Sequence, residues 1–201
     1  PNHKNRYMAT ASAKYEFADW INVTARAKMD RNNERRERMY DAGTNTLFAS
    51  KYGYYSKSNI ENQQIYGELL LNINKYFVDN TLNVTANVGG NFENNDYQSD
   101  YFGGKLKSVA NLFTFGNVDT SEKNLANQYG YHLKKRAIFG SAQIGYKSMA
   151  YLDVTARNDW SSTFKGTNTG SFFYPSIGLS GIITDIFRCS TDIMPYMKVR
   201  I

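Results

Sequence analysis

The sequence predicts an all-β fold, an antiparallel transmembrane β-barrel segment of about eight up-and-down strands in four hairpins, with short periplasmic turns and long extracellular loops. Three observations predict it. Apolar and polar residues alternate with period two along successive stretches, and the connections between those stretches are short and long in turn. The polar face carries Asn, Thr, Ser, Gln and Gly with sparse charges of both signs, where a soluble sheet normally carries Lys and Glu; such a face suits a water-filled lumen.

The first stretch sets Tyr7, Ala9, Ala11, Ala13, Tyr15 and Phe17 against Arg6, Met8, Thr10, Ser12, Lys14 and Glu16. After a tight turn at Ala18 and Asp19, Ile21, Val23, Ala25, Ala27 and Met29 oppose Asn22, Thr24, Arg26 and Lys28, which makes a hairpin. A second hairpin runs Ile65, Gly67, Leu69, Leu71, Ile73, turns near Val78, Asp79 and Asn80, and returns through Leu82, Val84, Ala86 and Val88. In the third, Ile138, Gly140, Ala142, Ile144 and Tyr146 precede a turn at 148–150 and are followed by Leu152, Val154 and Ala156. The fourth joins Pro175, Ile177, Leu179, Gly181 and Ile183 to Met197, Val199 and Ile201. Eight to ten residues at ~3.3 Å each, tilted by ~40°, climb roughly 20–25 Å, the height of a barrel's apolar band. Tyr7 at one end of the first strand, and Tyr15 and Phe17 at the other, then fall at two aromatic girdles.

Between hairpins lie long polar stretches at 30–61, 90–132 and 159–171. Tyr52, Tyr54 and Tyr55 fall in the first, with Lys51 and Lys57; Tyr97, Tyr101, Phe102, Phe113 and Phe115 fall in the second. Clustered aromatics on loops make flat contact surfaces for a carbohydrate, a peptide or a partner protein, or else supply the small cores that long loops need. Arg157, Asp159 and Trp160 stand where a strand leaves the membrane: they grip a passing ligand, or close the strand end and anchor Trp160 at the interface. Residues 31–40 read as a short loop helix capped by Gly43, and Asp119 to Glu122 has capping-box spacing. The Asn/Asp/Glu-rich run 91–100 lacks the ligand spacing of a calcium loop and reads as turn.

Composition narrows the function classes. The chain has 201 residues with 41% hydrophobic, 15% aromatic and 21% charged, Tyr 16, Trp 2 and Asn 22. A mean hydropathy of −0.57 is compatible with a membrane barrel, because only alternate strand residues meet lipid. The net charge of +6 does not point to nucleic acid, since Glu34 and Glu37 interleave the densest basic run, Arg31 to Arg38. With only His3 and His132 there is no zinc set, and Cys189 has no second cysteine to bond. No nucleophile–base set or phosphate-cradling loop is present, so no catalytic residue, cofactor or metal is expected and the chain does not read as an enzyme. It begins at Pro1 and stops at Ile201 inside an alternating run, and reads as part of a longer protein.

The segments Tyr151-Leu-Asp-Val-Thr-Ala-Arg-Asn-Asp-Trp-Ser-Ser-Thr-Phe164, Phe173-Tyr-Pro-Ser-Ile-Gly-Leu-Ser180 and Met197-Lys-Val-Arg200 resemble the barrel of the SusC/RagA family, TonB-linked outer-membrane transporters of Bacteroidota. Gly67 to Asn74 and Leu82 to Ala86 resemble the family's preceding hairpin. The resemblance implies that residues 1–201 are part of the barrel domain, without its plug and C-terminal strands, in a bacterial outer membrane. It implies uptake of oligosaccharides or peptides with a SusD-type surface lipoprotein, driven by the TonB system through the absent plug. The other partner it implies is outer-membrane lipid. Two other folds fit the pattern: a self-contained eight-stranded barrel without transport, and a secreted glycan-binding β-sandwich.

Overall fold

A computed structural model describes residues 1–121, 125–167, 170–187 and 196–201. Eight strands form one sheet in chain order: β1 (Asn2–Ala18), β2 (Ile21–Tyr40), β3 (Tyr54–Phe77), β4 (Leu82–Lys105), β5 (Ala126–Tyr146), β6 (Ala150–Ser161), β7 (Phe172–Ile182) and β8 (Lys198–Arg200). Neighbours run antiparallel. Among the described residues β8 does not pair with β1, and there is no second sheet.

The strands outrun their sequence signal. Residues 31–40, expected to be a helix, are the last ten residues of β2, and 91–100, expected to turn, lie inside β4. In both, each face of the strand is polar, so period-two hydrophobicity vanishes while the ladder of backbone hydrogen bonds continues. The long connections therefore shrink to 41–53, 106–125 and 162–171. The first turn is shifted by one residue, to Asp19 and Trp20. The link between β7 and β8, expected to be short, is residues 183–197 and opens with a one-turn helix, Ile183–Ile186. Cys189, Pro195 and Glu122, the far end of the expected capping box, lie outside the described residues. Asp119 does accept hydrogen bonds from Ser121 N and Oγ, at 3.0 and 2.7 Å.

Contacts divide the chain into two compact units. One comprises Pro1–Ala9, Met29–Ile65 and Asn94–Leu133, the other Thr10–Lys28, Tyr66–Glu93 and Lys134–Ile201. The second unit carries the alternation. Its register sets Ile144 opposite Leu152, Ala142 opposite Val154, then Leu152 opposite Leu179 and Val154 opposite Ile177, an apolar stripe across three strands. That face is bare: Phe17, Leu69, Ile138 and Ile177 are 57 to 73% exposed. A soluble domain would bury such a stripe. The tight turns belong to the same unit, with Val78, Asp79 and Asn80 at φ 52, 49 and 65° and Lys147 and Ser148 at 49 and 55°.

The first unit keeps its small core in the connections. Tyr55, Leu106 and Val118 are buried against Tyr52, Phe102, Phe113 and Leu125. Gly53 sits at φ +114° with Tyr40 O only 2.6 Å from where a Cβ would stand, a backbone approach that only glycine allows. Asn117 pins 106–118: its Oδ1 accepts from Ser108 N, Ser108 Oγ and Val109 N, and its Nδ2 donates to Val109 O at 2.7 Å and Leu112 O at 3.0 Å. Asn111 Oδ1 accepts from Ala42 N at 2.6 Å, which ties this connection to 41–53. Replacing Asn117 with Leu strands those backbone groups at a cost of about 1–3 kcal/mol. The expected result is preferential protease cleavage within 106–125 while the strands stay intact; an unchanged cleavage pattern counts against this role.

Candidate functional site

The polar face of the second unit is built from residues that alternate with the apolar stripe. Glu68 accepts from Arg26 Nη1 at 3.1 Å and from Tyr66 Oη at 2.7 Å, joining β2 and β3. On β6, Arg157 Nε binds both oxygens of Asp159, at 2.9 and 3.0 Å. The Arg157 guanidinium also lies 5.5 Å from the centre of the Phe139 ring on β5. Phe139 fits because Gly89 on β4 leaves room for it: a Cβ there would meet the ring at 3.0 Å. Carboxamides and hydroxyls fill the rest, with Asn72 bonded to Asn22, Asn83 to Asn74 and Gln143 to Asp153.

Of the residues singled out in the sequence, Arg157 and Asp159 form that pair on the polar face. Trp160, with the opposite parity, lies across from Arg136 and is 39% exposed. The three share a strand end but not a face. Replacing Trp160 with Ala therefore separates the two readings of this triplet. An interfacial anchor predicts reduced insertion of the folded barrel with unchanged ligand binding, and a ligand grip predicts the reverse.

In the first unit, Tyr54 and Tyr101, placed by the sequence pattern on two loops, are strand residues that meet across β3 and β4. Their hydroxyl oxygens are 2.6 Å apart. Burial, and then the hydrogen bond with Tyr54, push the Tyr101 phenol up to about 12. Tyr97 on β4 stacks on Tyr131 of β5, with centroids 5.2 Å apart and planes 14° from parallel, and Tyr129 packs edge-on to both. Tyr129 and Tyr131 were not singled out in the sequence; only the β4–β5 pairing brings them to Tyr97. Tyr52 stays in a connection with Lys51 over its ring, and Tyr55 is buried in the small core, so neither shares the stacked cluster.

Several charged groups of this unit form pairs. Arg6 forks onto Asp30, with Nε to Oδ1 at 2.9 Å and Nη2 to Oδ2 at 2.5 Å. Arg31 reaches Glu61 at 3.3 Å, Lys57 reaches Glu37 at 3.0 Å, and His132 bonds Asp96. Glu34 accepts from Arg36 Nε at 2.7 Å and from Asn2 Nδ2 at 2.9 Å. Arg36 foremost, and then Asn2, hold the Glu34 carboxyl down to about 2. The folded state thus favours the Glu34 carboxylate. Its stabilising contribution is complete above the ordinary value of 4.5 and is lost as pH falls through about 2. Glu34→Gln should remove that part of the acid dependence, read as a smaller difference in unfolding midpoint between pH 4.5 and pH 2.

No protein-family model matches the chain, and no curated protein matches it by sequence. Solved structures do match. A chain of the RagAB peptide transporter superposes with a TM-score of 0.81 at 17% identity over 94% of this chain. The RagAB peptide importer in its open-open state gives a TM-score of 0.79 at 18% identity over 95%. The likeness is one of fold, an open antiparallel up-and-down sheet like a segment of a β-barrel. This chain covers 21% of each RagAB chain, so it corresponds to one part of that structure.

Proposed function

We propose that this chain is part of the barrel wall of a TonB-dependent outer-membrane transporter of the SusC/RagA type, which takes up oligomeric nutrients, glycan or peptide. The observation that carries the reading is the pairing of two faces on one sheet: a bare apolar stripe fit to meet lipid, and a polar face of carboxamides, hydroxyls and paired charges fit to line water. Likeness of fold to the RagAB peptide transporter supports it. Apart from Ile183–Ile186 the regular elements are strands and short 3₁₀ turns, and no helix among the described residues is long and apolar enough to cross a membrane.

On this reading the wall does no chemistry. It supplies a wet surface of carboxamides and hydroxyls on which several charges are held in pairs, so those charges do not add to a single-sign field along the path of a ligand. Coupling to the TonB system falls to the plug, and capture of the nutrient at the extracellular mouth to a SusD-type lipoprotein. A self-contained eight-stranded barrel requires β8 to close on β1, a pairing absent among the described residues, and a β-sandwich requires a second sheet.

The direct test is fractionation and uptake with the full-length protein. Expressed in its host, it should sediment with the outer membrane and require detergent for extraction. Deleting its gene should abolish growth on, or uptake of, at least one oligomeric nutrient while monomer use continues. Aqueous partition without detergent, or unchanged uptake of every oligomer after deletion, overturns the reading.

A further inference from the structure

The first unit holds a groove of about 420 Å³ lined by Lys4, Arg6, Asp30, Asn32, Asn62, Gln64, Asn95 and Tyr131. We infer that this groove is a subsite for a neutral saccharide. Its volume falls in the range of about 300–1,000 Å³ typical of small-molecule sites, but its lining does not follow the usual apolar pattern. Four of its residues end in a carboxamide, which offers both a donor pair and an acceptor. The one aromatic is Tyr131, 45% exposed and stacked on Tyr97.

Charge argues for a neutral ligand. Arg6 and Asp30 are committed to each other through a bidentate pair, and Lys4 is the groove's one remaining charged residue. With two of its three charged residues neutralising each other, the groove is dominated by uncharged donors and acceptors rather than by ionic groups. Hydrogen bonding argues for a hydroxyl-rich one. The Oδ1 of Asn32 is buried and has no hydrogen-bond partner in the protein, an arrangement that costs free energy until a donor arrives. A sugar hydroxyl is such a donor, and a pyranose also carries a C–H face that can lie on the Tyr131 ring. An extended peptide fits less well, because its alternate side chains would need apolar pockets and this lining has none.

The inference rests on the transport reading for its setting, since Asn32 and Asn62 have the strand parity of Arg26 and Glu68 and so belong to the face proposed to line the lumen. The experiment separates the two. The full-length protein, purified in detergent, is titrated calorimetrically with linear gluco-, manno- and xylo-oligosaccharides and, in parallel, with a mixed-sequence peptide pool. Wild type should bind at least one of the saccharides. Asn32→Leu and Tyr131→Ala should each weaken that binding about tenfold or more, the loss expected for one well-placed contact. Asn59→Ala, which lies on the opposite face of β3, should leave it unchanged. Retained gel mobility of the folded barrel confirms each variant, and Tyr131→Ala carries the test if Asn32→Leu does not fold. The inference is overturned if no saccharide binds, if both groove variants bind as wild type does, or if peptides alone bind and lose affinity in the variants. Saccharide binding through Asn32 without cellular uptake would refute transport and leave the subsite standing; uptake without such binding would do the opposite.

Discussion

In the proposed membrane setting, each strand in the second unit has to satisfy two solvents at once. Successive side chains leave a strand on opposite sides, so one set of alternate residues faces an apolar medium and the other a wet one. Leu152, Val154, Ile177 and Leu179 occupy one side, and Asp153, Arg157 and Asp159 the other, without an intervening core. The usual stabiliser of a small domain, a buried centre, is nearly absent from this unit among the described residues: of the buried hydrophobic residues Ala49, Tyr55, Leu106, Val118 and Ala137, only Ala137 belongs to it. What holds the sheet is its ladder of backbone hydrogen bonds, and in hydrocarbon that ladder cannot open without leaving amides unpaired.

That constraint explains where the sequence was readable. In the stretches around Ile65 to Ile73, 138–146 and 152–156 the two media differ, and the alternation marks the strands in their right hairpins. Where both sides are wet, as at Arg31 to Tyr40, the contrast disappears and a charged run in a strand looks like a solvated helix or loop. The same loss of contrast hid Tyr54, Tyr97 and Tyr101 inside β3 and β4. Their partners were not legible at all, because Tyr97 meets Tyr131 through a pairing of β4 with β5 that no local pattern encodes.

The connections follow a different rule. Tight turns at Val78 to Asn80 and at Lys147 and Ser148 use left-handed backbone without glycine, a conformation held by the strands on either side. The longer connections hold themselves: Asn117 saturates the backbone around it, and Tyr55, Leu106 and Val118 give them an anchor. The described residues around Asn117 are therefore packed parts of the protein, and their aromatic residues divide between structure, as with Phe113, and exposed surface, as with Phe115.

The ion pairs have a property that bears on how such a sheet is assembled. Lys14 with Glu16, Glu34 with Arg36 and Arg157 with Asp159 are all two positions apart on a single strand. Each of these charges brings its own counter-ion, neutralised before any neighbouring strand is in place. For these pairs a strand can be added to a growing edge in sequence order without the charge waiting for a later arrival. Charges that bridge neighbouring strands, such as Arg26 with Glu68 in the second unit and Arg31 with Glu61 in the first, have to wait for the second strand, and water can screen them in the meantime.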